Sequence, residues 1–379
     1  MPWLGISNYA APALRGPDWV RLRPLMAGIC GSDLALITGK ASDRLSPFAS
    51  FPAVLGHETV AVVEEAGSRA GVAVGQRVAI DPVISCLVRG LESCAYCRDG
   101  RYALCQRAAE GDLAPGMMMG FCRDLPGGWS EAMLAHASQL HPLPEGVSDE
   151  IAVLVEPMAI VLHAVLLDPP AAGERVLVIG GGTIGLGTVA ALKVVAAGAE
   201  VTAVVRHPVQ AALAERLGAA RTVIDRGGRG AFDAAAEGGA TVRRTLTGAP
   251  ALTGGFDRVY DCVGSAASID AALGTVLPGG RVMLIGGAFE LEHLDLTLAW
   301  AHELRVSGSY GYGWEPTLPG APHTFDYLLR LIGEHPELPL AEFVTHRFPL
   351  DRWRDALRTA MDRRGSGSVK VVFDHRGAR

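Results

Sequence analysis

The sequence holds 379 residues, of which 49% are hydrophobic, 20% charged and 6% aromatic, the profile of a globular chain whose length favours about two domains over one. Its formal net charge of -6 leaves no basic excess to steer it toward nucleic acid or an anionic membrane surface, so small, neutral or weakly charged partners are expected. The opening MPWLGISNYAAPALRGPDW has no basic segment followed by an apolar one, so no secretory signal is read and a cytoplasmic protein is expected.

From residue 1 to about 150 the chain is rich in glycine, proline and short β-branched runs such as Glu58-Thr-Val-Ala-Val-Val and Gln76-Arg-Val-Ala-Ile. This texture predicts an irregular all-β region with many turns and few helices. From about 155, strands alternate with Ala/Leu-rich helical stretches: strand 175–179, helix 187–197, strand 201–205, helix 208–217, then strands at Arg258-Val-Tyr and Arg281-Val-Met-Leu-Ile. That alternation predicts βαβ units and a parallel sheet, an α/β fold. The apolar stretch from Val176 to Gly198 is interrupted by Lys193 and dense in glycine, which fits strand-turn-helix better than a membrane span. Beyond about 310 the pattern is mixed: a helix near 323–333, a strand over Glu342-Phe-Val-Thr-His-Arg-Phe, a helix near 350–363 and a closing strand Ser368-Val-Lys-Val-Val-Phe. The simplest topology inserts a nucleotide-binding domain into a β-rich one.

Gly180-Gly-Gly-Thr-Ile-Gly185 directly follows the strand 175–179 and opens a helix, the context that a dinucleotide fingerprint requires. Gly180 permits a tight turn, Gly182 lets the backbone approach a pyrophosphate, and Gly185 allows close helix-strand packing, with Thr183 and Ile184 in the helix mouth. An acid at the end of the second strand would bind the ribose diol of NAD. Here that position is Val205, followed by Arg206 and His207. With no acid to repel a 2′-phosphate and a planar guanidinium to pair with one, NADP(H) is expected in preference to NAD(H).

Seven cysteines in a chain without an export signal argue for thiol chemistry over disulfides. Cys94-Ala-Tyr-Cys97 and Cys105 give three thiolates on a compact loop, and a closed structural zinc site wants a fourth, for which Cys86 is the candidate. Cys122 and Cys262 have no partner at ligand spacing and read as small buried hydrophobes. Phe48, Phe51, Trp129 and Met117-Met118-Met119 read either as the lining of a wide apolar pocket or as ordinary packing.

Three further motifs are dispersed: Cys30-Gly-Ser-Asp33, Gly56-His-Glu58 and Val155-Glu-Pro157. Spacing alone does not unite them, since a lone Cys30 is by default a core residue and a lone His57 a satisfied one. Together with the cysteine lobe, VEPMAIVLHA at 155–164, the fingerprint and Leu277-Pro-Gly-Gly-Arg-Val, however, they give the chain a strong resemblance to the zinc-containing medium-chain alcohol and polyol dehydrogenases. The resemblance covers nearly the whole length.

It implies a GroES-like β-rich catalytic domain over 1–157 with a structural-zinc lobe at about 86–105, an inserted Rossmann domain over 158–308, and a C-terminal return to the catalytic domain over 309–379. It also implies that Cys30, His57 and Glu156 are catalytic zinc ligands, with Glu58 an alternative or exchanging one, and that Ser32 takes the substrate proton. A carboxylate at 156 looks like the polyol, glucose and threonine dehydrogenase branches, and a homodimer or homotetramer is implied. Ser32 and Asp33 also read as caps of the following helix. Three departures stand out: Ala35 where a relay histidine often lies, Ala61 where glycine is common, and Leu91 where the first lobe cysteine would fall, so that Cys86 must bridge a longer segment.

The expected activity is zinc-assisted hydride transfer between NADP(H) and a secondary alcohol, polyol or corresponding carbonyl. The alternatives are a zinc-free quinone or enoyl reductase of the same superfamily, which should lack Cys30, His57 and Glu156, and a catalytically silent NADP(H)-binding redox sensor.

Overall fold

A computed structural model describes residues 4–377 apart from 247, 249, 288 and 289. The chain forms two compact units, the first made of residues up to Ala159, Gly311–Glu334 and those from Leu340 on, the second of Ile160–Tyr310 and His335–Pro339.

The first unit is built on a seven-stranded sheet in the order Val344–Phe348, Lys370–Asp374, Trp19–Gly28, Thr59–Ala66, Arg77–Ile80, Leu140–Pro142, with Met133–His136 also paired to Trp19–Gly28. The ten-residue strand Trp19–Gly28 is its axis, pairing antiparallel with three other strands. Irregularities at Arg21/Leu22 and Pro24/Met26 bend it, as bulges do. On one side Val20, Leu22, Val63, Val78, Met119 and Met133 form the main core. A second cluster, with Ile29, Ile37, Leu55, Leu357 and Phe373, backs the segment that carries Cys30. Each fully buried large apolar side chain contributes about 1.5–3 kcal/mol.

The second unit is a six-stranded, all-parallel sheet ordered Arg305–Gly308, Val276–Leu284, Phe256–Asp261, Arg175–Ile179, Glu200–Val205, Arg221–Ile224. Numbered from Arg175–Ile179 as first, this is the 3-2-1-4-5-6 order of dinucleotide-binding sheets, whose ligands sit where the order reverses. No helix among the described residues is long and apolar enough to cross a membrane.

Local expectations shift at several boundaries. The helix expected over 187–197 runs Thr183–Val195, starting as soon as Gly182 supplies its N-cap. The strand expected from Glu342 begins as a 3-10 turn, Leu340–Phe343, and extends only over Val344–Phe348. The helix near 350–363 is a 3-10 turn at Leu350–Arg352, a helix over Trp353–Met361 and a short turn Arg363–Ser366 ending on left-handed Gly367.

Candidate metal centres and dinucleotide loop

Cys30 closes the strand Trp19–Gly28 and stands at the N-cap of the helix Gly31–Ile37. Its N–H donates to Asp33 Oδ2 at 2.9 Å, so Asp33 closes the capping box while Cys30 occupies the cap. Ser32, expected to share the capping, instead places Oγ 3.4 Å from His57 Nε2. On the far side of that ring, His57 Nδ1 lies 3.3 Å from Asp33 Oδ1, poorly aligned for a hydrogen bond but close enough for charge pairing. Burial pushes the His57 pKa down, yet the Asp33 charge and the Cys30 sulfur more than reverse this and hold it well above the ordinary range. A ring with a carboxylate beside one nitrogen and a thiol within ligand distance is arranged as a metal-bound histidine is.

Ligand atoms of Cys30, His57 and Glu58 lie within 4.8 Å of one another. Glu58 does not stand free: Lys370 Nζ donates to both of its oxygens at 2.6 Å, and both residues are buried. This carboxylate also needs Gly28, because a Cβ there would lie 1.9 Å from Glu58 Oε2. The turn into His57 needs Gly56, at φ 98° and with no room for a side chain against Trp129. Trp129 in turn donates its ring N–H to Gly28 O at 3.0 Å, which makes it a support of the turn.

Glu156 lies outside that closest group. It is buried at the start of the helix Val155–Leu167, where Oε1 accepts from the Tyr312 hydroxyl at 3.0 Å and Oε2 has no hydrogen-bond partner. Burial raises its pKa to about 7, against the pull of His57 and with the push of Glu58. A buried carboxylate oxygen without a partner, close enough to His57 and Glu58 to feel their charge, is a donor of the kind a metal ion takes up.

The lobe brings all four cysteines together. Sulfurs of Cys86, Cys94, Cys97 and Cys105 lie within 4.8 Å of one another, with Cys86 and Cys105 at 3.6 Å; tetrahedral thiolates 2.3 Å from zinc are about 3.8 Å apart. Cys86 spans its longer segment by folding back: Leu91 N–H donates to Cys86 O at 2.9 Å, and Cys94 N–H donates to Cys86 Sγ at 3.4 Å. Arg89, fully buried, fastens this fold by donating to the carbonyls of Glu110, Leu113, Ala114 and Gly116. Burial opposes ionisation of Cys94, but the Gln106 and Cys97 N–H groups bring its pKa down to about 6, while burial raises that of Cys97. Four packed thiols cannot all ionise without a cation among them.

In the second unit Gly180, at φ 121°, turns the chain away from Ile179. A Cβ on Gly185 would lie 1.9 Å from Gly180 O, so glycine is required there. Gly182 caps the helix that begins at Thr183 and Ile184, and the N-terminus of such a helix suits a pyrophosphate. Arg206 is exposed immediately after the strand Glu200–Val205. Cys122 is wholly buried in the main core of the first unit, and Cys262 packs its thiol 3.5 Å from the Thr188 hydroxyl.

Reading the sequence motif by motif missed Asp33 as the partner of His57, and missed Lys370, Tyr312 and Arg89. Of these only Lys370 left a signal, a lysine inside the apolar run Ser368-Val-Lys-Val-Val-Phe, where burial demands a counter-charge.

Residues 16–145 match the alcohol dehydrogenase GroES-like domain, and residues 183–333 match the zinc-binding dehydrogenase domain. Among curated proteins the chain is 30% identical to L-idonate 5-dehydrogenase of Vitis vinifera, covering 98% of this chain and 92% of that one. It is 29% identical to sorbitol dehydrogenase of Arabidopsis thaliana, with the same coverage of each. Among solved structures, alcohol dehydrogenase from Thermus sp. ATN1 superposes with a TM-score of 0.72 at 27% identity, covering 97% of both chains. A Sinorhizobium meliloti protein described as a zinc-binding dehydrogenase and solved with NADP does so at 0.71 and 28%, covering 97% of this chain and 95% of that one.

Proposed function

Since the chain belongs to the zinc-binding alcohol and polyol dehydrogenase family, we propose that it passes hydride between NADP(H) and a secondary alcohol, polyol or corresponding carbonyl at a zinc held by Cys30, His57 and Glu156. The observation that carries the metal assignment is the orphaned Oε2 of buried Glu156 beside the Cys30, His57 and Glu58 group. Bound there, zinc supplies a Lewis acid that lowers the pKa of a coordinated hydroxyl or polarises a carbonyl. Glu58, neutralised by Lys370, stands by as an exchanging ligand.

Asp33 holds the His57 ring so that Nε2 and the half-buried Ser32 Oγ face the same space. Ser32 takes the proton released by the substrate hydroxyl, and with alanine at 35 that proton leaves from Ser32 without a histidine next in line. Cys86, Cys94, Cys97 and Cys105 hold the structural zinc. The loop Gly180, Gly182, Thr183, Ile184 and Gly185 holds the pyrophosphate, and Arg206 pairs with the 2′-phosphate. We place the enzyme in the cytoplasm; we also read it as a homodimer or homotetramer, which the strand Arg305–Gly308 supports as an exposed sheet edge of the kind that second copies cover.

Turnover of a panel of alcohols, polyols and ketones with each cofactor, alongside zinc analysis, tests this reading; active protein free of zinc would overturn it. Arg206→Glu is expected to weaken NADPH binding roughly tenfold or more and NADH binding far less, and equal losses in the two titrations would refute the 2′-phosphate assignment.

A further inference from the structure

A third group of metal-binding side chains converges in the first unit, sharing no residue with either centre described above. Asp81 ends the strand Arg77–Ile80, His141 lies in Leu140–Pro142, which pairs with it, and His323 immediately precedes the helix Thr324–Glu334. One ligand atom from each lies within 4.8 Å of the others.

Three features make this more than a chance gathering. His141 is 6% exposed, and its Nε2 is buried with no hydrogen-bond partner. The other ring nitrogen is fixed, for Nδ1 stands 2.7 Å from Asp326 Oδ1, and that bond holds the Asp326 carboxyl below its ordinary range. With the proton on Nδ1, the lone pair of Nε2 points into the cluster, as in the carboxylate-histidine-metal arrangement. Asp81 is likewise oriented: Oδ1 accepts from Val83 N–H at 2.8 Å, leaving Oδ2 at 3.5 Å from His323 Nε2. Two N/O ligands each about 2.0–2.1 Å from a tetrahedral ion stand about 3.3 Å apart.

From this geometry we propose that Asp81, His141 and His323 form a third divalent-cation site, with two imidazoles, one carboxylate and a solvent position. That donor set suits zinc and its borderline neighbours in the first transition series. Occupation moves the His323 proton to Nδ1 and gives up the long, 3.3 Å bond that this atom accepts from Phe325 N–H. The site uses none of the catalytic ligands, so it stands or falls independently of the dehydrogenase reading.

The test is zinc stoichiometry in the full-length protein, saturated with Zn²⁺ and desalted, with isothermal titration of the last equivalent. Wild type is expected to hold three zinc ions per chain, and His141→Ala and His323→Ala two, with both other centres filled. Asp326→Ala removes a 58% exposed side chain and so spares the fold; it is expected to weaken the third equivalent roughly 10–100-fold. A zinc count in folded His141→Ala or His323→Ala equal to that of wild type, or an unchanged isotherm in Asp326→Ala, would each overturn the site, whereas a wild-type count of two that still falls by one in His141→Ala would count against one of the other centres instead.

Discussion

The cysteine lobe joins Cys86 to Cys105 across 19 positions, whereas in the catalytic cluster Lys370 reaches Glu58 across 312. The first needs only a short loop to close and a cation to hold it, and chain entropy opposes that closure weakly. The second has no local existence. Its ligands are brought together by the strand Trp19–Gly28 and its neighbours, and its charges are balanced by residues that arrive from the far end of the chain. One centre therefore organises its surroundings, while the other is organised by them.

Breaking each centre should show that asymmetry. Cys97→Ser is expected to have the largest effect, because a structural zinc contributes on the order of 10 kcal/mol to the segment it closes. One zinc equivalent is lost and residues 86–116 become sensitive to limited proteolysis, while the catalytic zinc stays bound; loss of both ions together would contradict the lobe's independence. Cys30→Ala should cost turnover about 10³-fold, the several kcal/mol of transition-state stabilisation that a Lewis acid supplies, with the circular dichroism spectrum unchanged.

Lys370→Met strands a buried carboxylate, so unfolding by denaturant should register a loss of about 3–5 kcal/mol. In the lobe, by contrast, the exposed Arg98→Met should leave the midpoint where it is, since surface changes are typically within about 0.5 kcal/mol.

The smallest effect is on pH dependence, and it sharpens the comparison at Glu156. Its pKa is raised to about 7 from the ordinary 4.5, so without metal the folded protein keeps a proton that the unfolded chain releases. The stability this gives is complete below the unfolded value and is lost as the pH rises through about 7. Zinc needs the carboxylate and must displace that proton, so its affinity should weaken as the pH falls below about 7. Zinc titrations below about pH 6 in buffers of different protonation enthalpy measure the proton released; there Glu156→Gln should release about one fewer, and equal release would remove Glu156 from the site.

The same asymmetry governs what the sequence discloses. Cys94 and Cys97 announce a metal lobe by spacing alone, and the alternation from 175 onward announces a parallel sheet, because both are local patterns. Cys86 could be nominated, but its approach depends on a backward turn pinned by Arg89, an arginine that looks in sequence like any surface charge. Cys30, His57 and Glu156 share no spacing, so only the resemblance united them. Glu58, read as an alternative ligand, has a ligand atom within 4.8 Å of those of Cys30 and His57 and is held by a lysine that its motif does not reveal. Tyr312 sits in Gly311-Tyr-Gly, a context that says turn and nothing of a hydroxyl aimed at a carboxylate.

The pairing of Lys370 with Glu58 also sets an order of events during synthesis. Domains generally fold as units from the N-terminal side while the chain is being made, at about 5–20 residues per second. The strand that carries Glu58 is finished long before the dinucleotide-binding unit, and Lys370 follows after that whole unit. For that interval, on the order of a quarter to one minute at these rates, the nascent catalytic centre holds its carboxylates without their ammonium. The first unit can therefore dry out around Glu58 only when nearly all of this chain has been translated, so that under the proposed assignments loading of the catalytic zinc would be a late step and loading of the lobe an early one.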